Sequence, residues 1–477
     1  MISVKQSVGT PTTTIEPAGP SRVRLGQIIS ALPYALDLTE GQPVGHAVQS
    51  CALGMKIAAE LGFDEIQCEA LYYALLLKDT GCSSNASRMF QILGSDERVA
   101  KREVKTTDWT KASAETLSYL QRHVRPDRPA HERLWTMFKM ALKRDEQSQE
   151  LISARCERGA SIVRKMGFPE ATSLAIFSLD EHWNGKGYPE HLRGDQIPLY
   201  SRITNLCQTL DVYATLCGPQ AAKDMARQRS GRWFDPALVR IVQGWSVSDP
   251  VWAQGDPDEA RCRIDAEAPA VRHIGVDDQQ LDVICEVFAE VIDAKSPYTY
   301  RHSTGVASAA VSISRQMGLT EYEVTTVRRA ALLHDIGKLS VSNAILEKPG
   351  KLTDEEWKVV RLHPYYTEQI LAKVPVFRDF ASVAAAHHEK LDSSGYCKGL
   401  TAKHLSLHAR ILTVSDVFDA LFADRPYRGG LPLAGVFKII GAEVPLALDA
   451  DCYAALKAAA TDVKLTASLQ WLKRATG

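Results

Sequence analysis

Histidines and aspartates in the second half of the chain lie at the ends or on the faces of apolar segments. The stretch RRAALLHDIGKLSVSN places His334 and Asp335 directly after a run of small and apolar residues. Burying an imidazole and a carboxylate is costly unless the groups are paired or bind a metal ion. Five further residues have the same context: His302, His363, His387, His388 and Asp416. Together they could contribute seven side chains to one polar centre.

This residue set points to metal chemistry. Imidazole nitrogens and carboxylate oxygens are ligands for iron, manganese and zinc, and a carboxylate can bridge two ions. Two such ions can hold a phosphodiester and activate water at neutral pH. A single buried histidine is more often a hydrogen-bonded core residue, so the prediction depends on the joint pattern. Five of the thirteen histidines fall at these positions, which predicts a metal centre without identifying the metal.

The segments that carry these residues have the periodicity of helices. Ser296 and Pro297 suit the start of a helix, and apolar residues then recur at three- and four-residue spacing as far as Gly318. His302 is one turn before Val306 on the same inward face. Alternation typical of strands is scarce, so we predict an all-α fold.

The chain also contains an internal repeat. Residues 45–81 align without gaps on 301–337, and residues 187–213 align on 395–421. The offset changes between these alignments, which predicts an insertion in the first copy near 82–150. We therefore predict two tandem helical bundles. The predicted organisation is a flexible tail at 1–20, a first copy at 21–245, a linker at 246–277 and a second copy at 278–477.

Composition narrows the classes of function. The 477 residues are 45% hydrophobic and 24% charged, with a net charge of −1, so no overall basic field favours DNA. No apolar run approaches the roughly 18 residues that a membrane span needs. The ten cysteines show no CxxC spacing and suit reduced thiols. We expect a cytoplasmic protein that binds neither DNA nor membrane.

The second copy resembles the HD-GYP family of bacterial cyclic-dinucleotide phosphodiesterases, a branch of the HD superfamily of metal-dependent phosphohydrolases. The resemblance covers 296–430 and is carried by HDIGKLSVSNAILEKPGKLTDEEW, HHEKLDSSGY and RILTVSDVFDALFADRPYR. It implies a helical bundle with a two- or three-metal centre, often of iron or manganese. The family hydrolyses cyclic di-GMP to a linear dinucleotide, sometimes on to GMP, and some members prefer cyclic GMP–AMP. The first copy is similar to a degenerate member.

Carried over by position, the resemblance implies that the seven histidines and aspartates above are metal ligands, with Asp335 as the bridge. It places Lys338 at the substrate phosphate, where a cation offsets charge that builds up in the transition state. It places Arg425 and Arg428 at the second phosphate. The alternative is that both arginines lie in a solvated turn without a substrate contact. Asp419, one turn after the last ligand, would brace a ligand.

Two departures from the family pattern affect these expectations. Three-metal members carry a glutamate at the position of Tyr298, whose phenol has an ordinary pKa of about 10 and is a poor ligand. We therefore expect two divalent transition-metal ions, iron or manganese. The sequence GYC at 395–397 replaces GYP. We expect this loop to be mobile and to affect recognition while the metal centre stays intact.

The first copy retains the GYP sequence at 187–189 but not the ligand set. Lys78 and Arg155 put cations where metal ions would bind. Two interpretations are open: an inert packing partner, which we favour, and a nucleotide-sensing module. The aligned positions read His46, Lys78, Asp79, Arg155, Leu179, Asp180 and Gln208, with Cys82 opposite Lys338.

The sequence thus predicts a metal-dependent phosphodiesterase for a cyclic dinucleotide, with cyclic di-GMP favoured and cyclic GMP–AMP as an alternative. An HD hydrolase of another nucleotide phosphate and a cyclic-dinucleotide receptor with little turnover are also open. A protein partner at the GYP-like loops and a homodimer are further expectations that the sequence leaves open.

Overall fold

The computed structural model describes most of the chain between the two ends. Neither the predicted tail at 1–20 nor Arg425 and Arg428 are among the described residues. The described ranges are 23–29, 31–108, 114–253, 255–256, 259, 275–299, 301–424 and 429–460.

Helices dominate the described residues, so the prediction of an all-α fold is confirmed. Two strands of two residues each, β1 (Val23–Arg24) and β2 (Gly275–Val276), pair antiparallel. No described helix is long and apolar enough to cross a membrane. In the first copy the helices are α1 (Leu25–Ile29), α2 (Ala31–Thr39), α3 (His46–Leu61), α4 (Glu65–Leu77), α5 (Ala86–Leu93), α6 (Glu97–Val104), α7 (Ala114–His123), α8 (Ala130–Leu142), α9 (Arg144–Lys165), α10 (Glu170–Phe177), α11 (Leu199–Cys217), α12 (Pro219–Arg229) and α13 (Pro236–Gly244).

The second copy continues with ten described helices, and a 3₁₀ turn at Ile336–Ser340 follows the third of them. They are α14 (Asp278–Asp293), α15 (His302–Gln316), α16 (Glu321–Leu333), α17 (Asn343–Leu346), α18 (Asp354–Val360), α19 (His363–Ala372), α20 (Arg378–Ala385), α21 (Leu407–Phe422), α22 (Leu433–Glu443) and α23 (Ala450–Ala460).

Helices of the two copies begin at aligned residues. The starts of α3, α4, α10 and α11 correspond to those of α15, α16, α20 and α21. Both α4 and α16 begin with a capping box, in which two side chains satisfy backbone amides of the first turn. The predicted insertion near 82–150 forms α5 to α8 and has its own small hydrophobic cluster around Leu93 and Tyr119.

The main hydrophobic core is continuous across the two copies. Ile57 and Leu71 of the first copy belong to the same buried cluster as Ile313 and Leu332 of the second. Burial of apolar surface therefore stabilises the contact between the copies as well as each bundle. The predicted domain boundaries stay predictions, because the buried core does not divide at them.

A buried carboxylate from the insertion also joins the two copies. Glu97 and Lys295 are both almost fully buried, and Lys295 Nζ is 2.9 Å from Glu97 Oε1. Glu97 Oε2 accepts hydrogen bonds from Ser342 Oγ at 2.9 Å and from the Asn343 backbone amide at 3.0 Å. This carboxylate therefore holds the chain segment that directly follows the HD sequence.

One local prediction is wrong. The helix expected from Ser296 and Pro297 begins only at His302, because Pro297–Thr299 is a separate 3₁₀ turn. Arg301 precedes the helix with a φ of 58°, a left-handed conformation that interrupts helical geometry. Tyr298 therefore does not share a helical face with His302.

We expect Glu97→Ala to lower the free energy of unfolding by about 3–5 kcal/mol, because it leaves the Lys295 ammonium buried without its carboxylate. Chemical denaturation of the full chain measures this change. Glu115→Ala is a matched control, since Glu115 is an exposed residue in the first turn of α7. Equal effects of the two substitutions would contradict a stabilising role for the buried pair.

Candidate metal centre

The structure brings the seven predicted ligands together from separate helices. His302 begins α15, His334 directly follows α16, and His363 begins α19. The pair at 387–388 follows α20 after one intervening residue, and Asp416 lies within α21. All seven are buried except His388, whose side chain is 26% exposed. Placing polar groups at helix ends lets one small volume collect side chains from five helices.

Asp335 lies at the centre of this cluster. Its Oδ2 is 3.7 Å from His302 Nε2 and 3.5 Å from His334 Nε2. Its Oδ1 is 3.4 Å from His363 Nε2 and 3.6 Å from His387 Nε2. The two oxygens of one carboxylate thus face two different histidine pairs, which is the geometry that a bridging ligand requires.

Asp416 is a second carboxylate within reach of several of these histidines. Its Oδ1 is 3.1 Å from His302 Nε2 and 3.9 Å from His334 Nε2. Its Oδ2 is 3.7 Å from His388 Nδ1. The donor atoms therefore divide into two groups, one around His302 and His334 and one around the remaining three histidines.

Backbone carbonyls fix the orientation of three imidazoles. The Nδ1 atoms of His334, His363 and His387 each lie 2.7 Å from the carbonyl oxygen three residues earlier. A carbonyl can only accept, so each Nδ1 carries the proton and each Nε2 presents a lone pair to the centre. Metal-binding histidines are commonly oriented in this way.

The arrangement of lone pairs fits a cation. His363 Nε2 and His387 Nε2 are 3.1 Å apart, although neither carries the proton that a hydrogen bond between them would need. Two nitrogens at this separation can both lie about 2.1 Å from one ion. His334 Nε2 and Asp335 Oδ1 are buried without a hydrogen-bond partner among the described residues. The centre therefore has the donor chemistry of a metal site.

Burial and neighbouring charges set the protonation of the ligands. Burial lowers the pKa of His334 to about 3 and that of His363 to about 4, so both imidazoles are neutral. Burial alone would raise the pKa of Asp335, but the positive potential of the neighbouring side chains, including the Lys338 ammonium, outweighs it and holds that pKa well below its usual range. Asp335 is thus available as a carboxylate.

His302 differs because its Nδ1 faces a carboxylate. It donates to Asp419 Oδ2 at 2.6 Å, and the aligned His46 of the first copy donates to Asp211 Oδ2 at 2.5 Å. Burial opposes the charged form of His302, yet hydrogen bonds to Asp416 and Asp419 raise its pKa to about 10. A metal ion at its Nε2 would have to displace a proton.

Sequence reasoning missed a second carboxylate beside His302. Asp293, at the end of α14, accepts hydrogen bonds from the Ser303 hydroxyl at 2.7 Å and from the Ser303 amide at 3.3 Å. In the first copy Asp37 accepts from the amides of Gly45 and Ala47. Extending the internal alignment by eight residues toward the N-terminus would have paired Asp37 with Asp293. That pairing would have indicated that both carboxylates bind groups at the start of the next helix.

The glycine of the HD sequence permits the close approach of two ligand segments. A Cβ at Gly337 would lie 1.9 Å from the backbone oxygen of His363. The amide of Gly337 also donates to Thr367 Oγ1 at 3.1 Å. Any larger residue would push the turn after Asp335 away from the start of α19, which carries His363.

Lys338 lies at the edge of the cluster. Its Nζ donates to Asp335 Oδ2 at 2.6 Å, and its side chain is 20% exposed. The ammonium thus contacts a candidate ligand directly and is also accessible from outside. A role at the substrate phosphate stays a prediction, as do the roles of Arg425 and Arg428, which lie outside the described residues.

The GYC loop packs against the centre, so our expectation that the loop is separate from the centre is wrong, while its mobility stays a prediction. The Tyr396 ring lies 4.7 Å from the His388 ring, and the Tyr396 amide donates to the His388 carbonyl at 3.1 Å. Buried Glu389 accepts from the backbone amides of Lys398 at 2.6 Å and Leu400 at 2.8 Å. These contacts couple the loop to the segment that carries two ligands.

The first copy fills the equivalent space with ion pairs. Lys78 Nζ donates to Asp79, and Arg155 donates to Asp180. Fixed cations therefore occupy the surroundings of the carboxylates, as the aligned sequence indicates. Burial raises the pKa of the Cys82 thiol, which takes the place of Lys338, well above its ordinary value.

Two lysines from the insertion complete this network. The sequence analysis did not identify them as part of it. Lys101 Nζ is 3.0 Å from Glu40 Oε1, and Lys105 Nζ is 3.4 Å from Glu40 Oε2 and 3.9 Å from Asp79 Oδ1. Glu40, Asp79 and Cys82 lie close enough to form a small donor group. Because lysines already neutralise both carboxylates, the group does not fit a divalent ion.

Comparison with known proteins adds independent information. A family model described as an HD domain matches residues 132–238 and 286–451. The 3'3'-cGAMP-specific phosphodiesterase 3 of Vibrio cholerae serotype O1 is 42% identical over 436 residues, covering 91% of this chain and 94% of that protein. The cyclic di-GMP phosphodiesterase PA4108 of Pseudomonas aeruginosa is 43% identical over 134 residues, covering 28% of this chain and 32% of that protein.

A solved structure has a similar fold over nearly the whole chain. The crystal structure of a cyclic GMP-AMP specific phosphodiesterase of V. cholerae, V-cGAP3, has a TM-score of 0.63 and 39% identity to this chain. The match covers 92% of this chain and 97% of that one. The likeness therefore extends over both copies.

Asp419→Asn should weaken metal binding by about 10–100-fold, because the carboxylate that orients His302 is lost. Titration of the apoprotein with Mn²⁺ measures the affinity. Asp211→Asn removes the matching contact to His46 in the first copy and should leave Mn²⁺ affinity unchanged. If both substitutions weaken metal binding equally, the effect comes from general loss of stability.

Proposed function

The chain belongs to the HD domain family, and from this premise we propose that it is a metal-dependent phosphodiesterase that hydrolyses a cyclic dinucleotide in its second copy. The main support is the convergence of seven histidine and aspartate side chains around Asp335, with imidazole lone pairs directed at one another. Hydrogen bonds among the described residues leave His334 Nε2 and Asp335 Oδ1 unsatisfied, whereas divalent ions would satisfy both atoms.

The ligand geometry favours two ions in this centre. His302 and His334 would form one group of donors with Asp335 Oδ2, and His363 and His387 would form the other with Asp335 Oδ1. His388 and Asp416 complete the set. When bound, such ions neutralise phosphate charge and make a coordinated water acidic enough to react at neutral pH. Iron and manganese both suit this ligand set.

The protein side chains position the substrate and its charge. Lys338 places a cation beside Asp335 at the accessible edge of the centre. A cation there would stabilise the charge that develops on the phosphate oxygens in the transition state. Tyr396, packed on His388, lies beside the centre and would contact an entering nucleotide.

The comparisons favour cyclic GMP–AMP as the substrate. The relative with matching length is named for 3'3'-cGAMP, whereas PA4108, named for cyclic di-GMP, aligns with less than a third of this chain. We therefore place cyclic GMP–AMP first and cyclic di-GMP second, the reverse of the order that the motifs alone favoured. The reason for this order is the similarity over both copies, since relatives named for either substrate share the local motifs.

The full chain, purified anaerobically, should contain close to two transition-metal ions and hydrolyse 3'3'-cyclic GMP–AMP faster than cyclic di-GMP. His334→Ala should abolish hydrolysis and reduce metal content, because it removes a ligand. His404→Ala is the matched control, since His404 is exposed and outside the centre. Metal analysis and product chromatography distinguish the outcomes. Binding without turnover by the wild type would favour a receptor, and three ions would contradict the two-metal assignment.

Lys338→Ala should retain the metal and lower kcat by about 10²–10³-fold, as removal of other groups that stabilise transition-state charge does. Lys351→Ala, which changes an exposed lysine, should leave kcat unchanged. Steady-state kinetics and metal analysis on the same preparations provide the measurement. Full activity of Lys338→Ala would contradict the proposed contact between Lys338 and the phosphate. Loss of metal would indicate instead that Lys338 supports Asp335.

A further inference from the structure

The first copy contains a cavity that its lost metal chemistry does not explain. The cavity has a volume of about 460 Å³ and lies between the insertion helices α5–α8 and the helices α9 and α11. This volume is within the range of small-molecule sites. Its walls are mainly apolar and include Met89, Leu93, Leu120, Met140 and Ile152.

One end of the cavity is polar and has an excess of positive charge. Lys101, Lys105 and Arg155 line it, together with the carboxylates of Glu40 and Asp180. Lys78 and Asp79 are not part of this lining and neutralise each other. His182 adds no charge, because burial lowers its pKa to about 3. The lining therefore has three cations against two anions, an excess of one positive charge.

Two polar atoms at this end lack hydrogen-bond partners among the described residues. Lys105 Nζ is buried and its nearest carboxylate oxygen is 3.4 Å away. Gln208, which is 6% exposed and lines the cavity, has an unpartnered Oε1. A half-turn of this amide exchanges its oxygen and nitrogen, so Gln208 can donate to an anion. Both groups therefore suit an anionic head group.

We propose that this cavity binds a monoanionic amphiphile, with a carboxylate head at Lys105, Arg155 and Gln208 and an apolar body between the insertion and α9. Burial of the apolar body would supply most of the binding free energy. The single excess charge would favour an anion over a neutral molecule of the same shape.

A cyclic dinucleotide fits this lining less well than such an amphiphile. It carries two phosphate charges, and its two bases have several hydrogen-bonding atoms that would be buried against apolar side chains. Burying unpaired polar groups is unfavourable. The cavity thus argues against the nucleotide-sensing interpretation of the first copy, and it gives the insertion a role beyond packing.

The test uses decanoate with the full chain in isothermal titration calorimetry. One decanoate should bind per chain, and decanol should bind at least about tenfold more weakly because it lacks the charge. Lys105→Met and Ile152→Trp should each weaken decanoate binding at least about tenfold, the first by removing a cation and the second by filling the cavity. Lys105→Arg should retain binding.

Matched controls separate the cavity from the surface. Lys186→Met changes an exposed lysine and Ala154→Trp adds an exposed ring on α9, so neither should alter affinity. Should Ile152→Trp fail to fold by circular dichroism, Leu120→Trp fills the cavity from its other wall. The proposal is overturned by equal affinity in all variants, by equal binding of decanol, by absence of binding, or by displacement of decanoate by 3'3'-cyclic GMP–AMP.

Discussion

The buried carboxylate of Asp335 is the constraint on which the second copy depends. A carboxylate without solvent needs positive charge or hydrogen-bond donors around it. Here four imidazoles face its two oxygens, and three of them have their protons directed away to backbone carbonyls. The helix ends that supply those imidazoles are therefore held in a geometry that divalent ions would complete.

The first copy satisfies the same constraint by different chemistry. Its Asp79 is bound by Lys78 and approached by Lys105, and Asp180 is bound by Arg155. Side-chain cations thus take the role that ions would have in the second copy. The His46–Asp211 contact persists because it connects α3 to α11 and does not need a metal. The fold therefore tolerates loss of the centre as long as its buried carboxylates stay neutralised.

The insertion contributes to both halves of the molecule. Glu97 contacts Lys295 and Asn343 of the second copy, while Lys101 on the same helix contacts Glu40 of the first. These residues lie one turn apart on α6 and point to different partners. The sequence of a charged helix in an insertion is typical of a solvated surface, and its spacing does not indicate buried partners 198 and 246 residues away.

Helical periodicity and the internal repeat were sufficient to predict the all-α fold, since both depend on local patterns of apolar residues. The seven candidate ligands could also be named, because polar residues at the ends of apolar helices need a partner. The start of α15 was misplaced, because the left-handed conformation of Arg301 has no strong sequence signal. The contact between the GYC loop and His388 was missed because it joins segments by packing rather than by pattern.

The sequence by itself determined which side chains are candidate metal ligands and which copy has the full set of them, because residue type and burial pattern are local properties. Only the tertiary structure decided that the two oxygens of Asp335 face separate histidine pairs, that Glu97 joins the copies, and that the insertion encloses a cavity over Arg155. Each of these depends on distances between helices that are remote in the chain. Such distances result from packing of the whole core, which no single segment encodes.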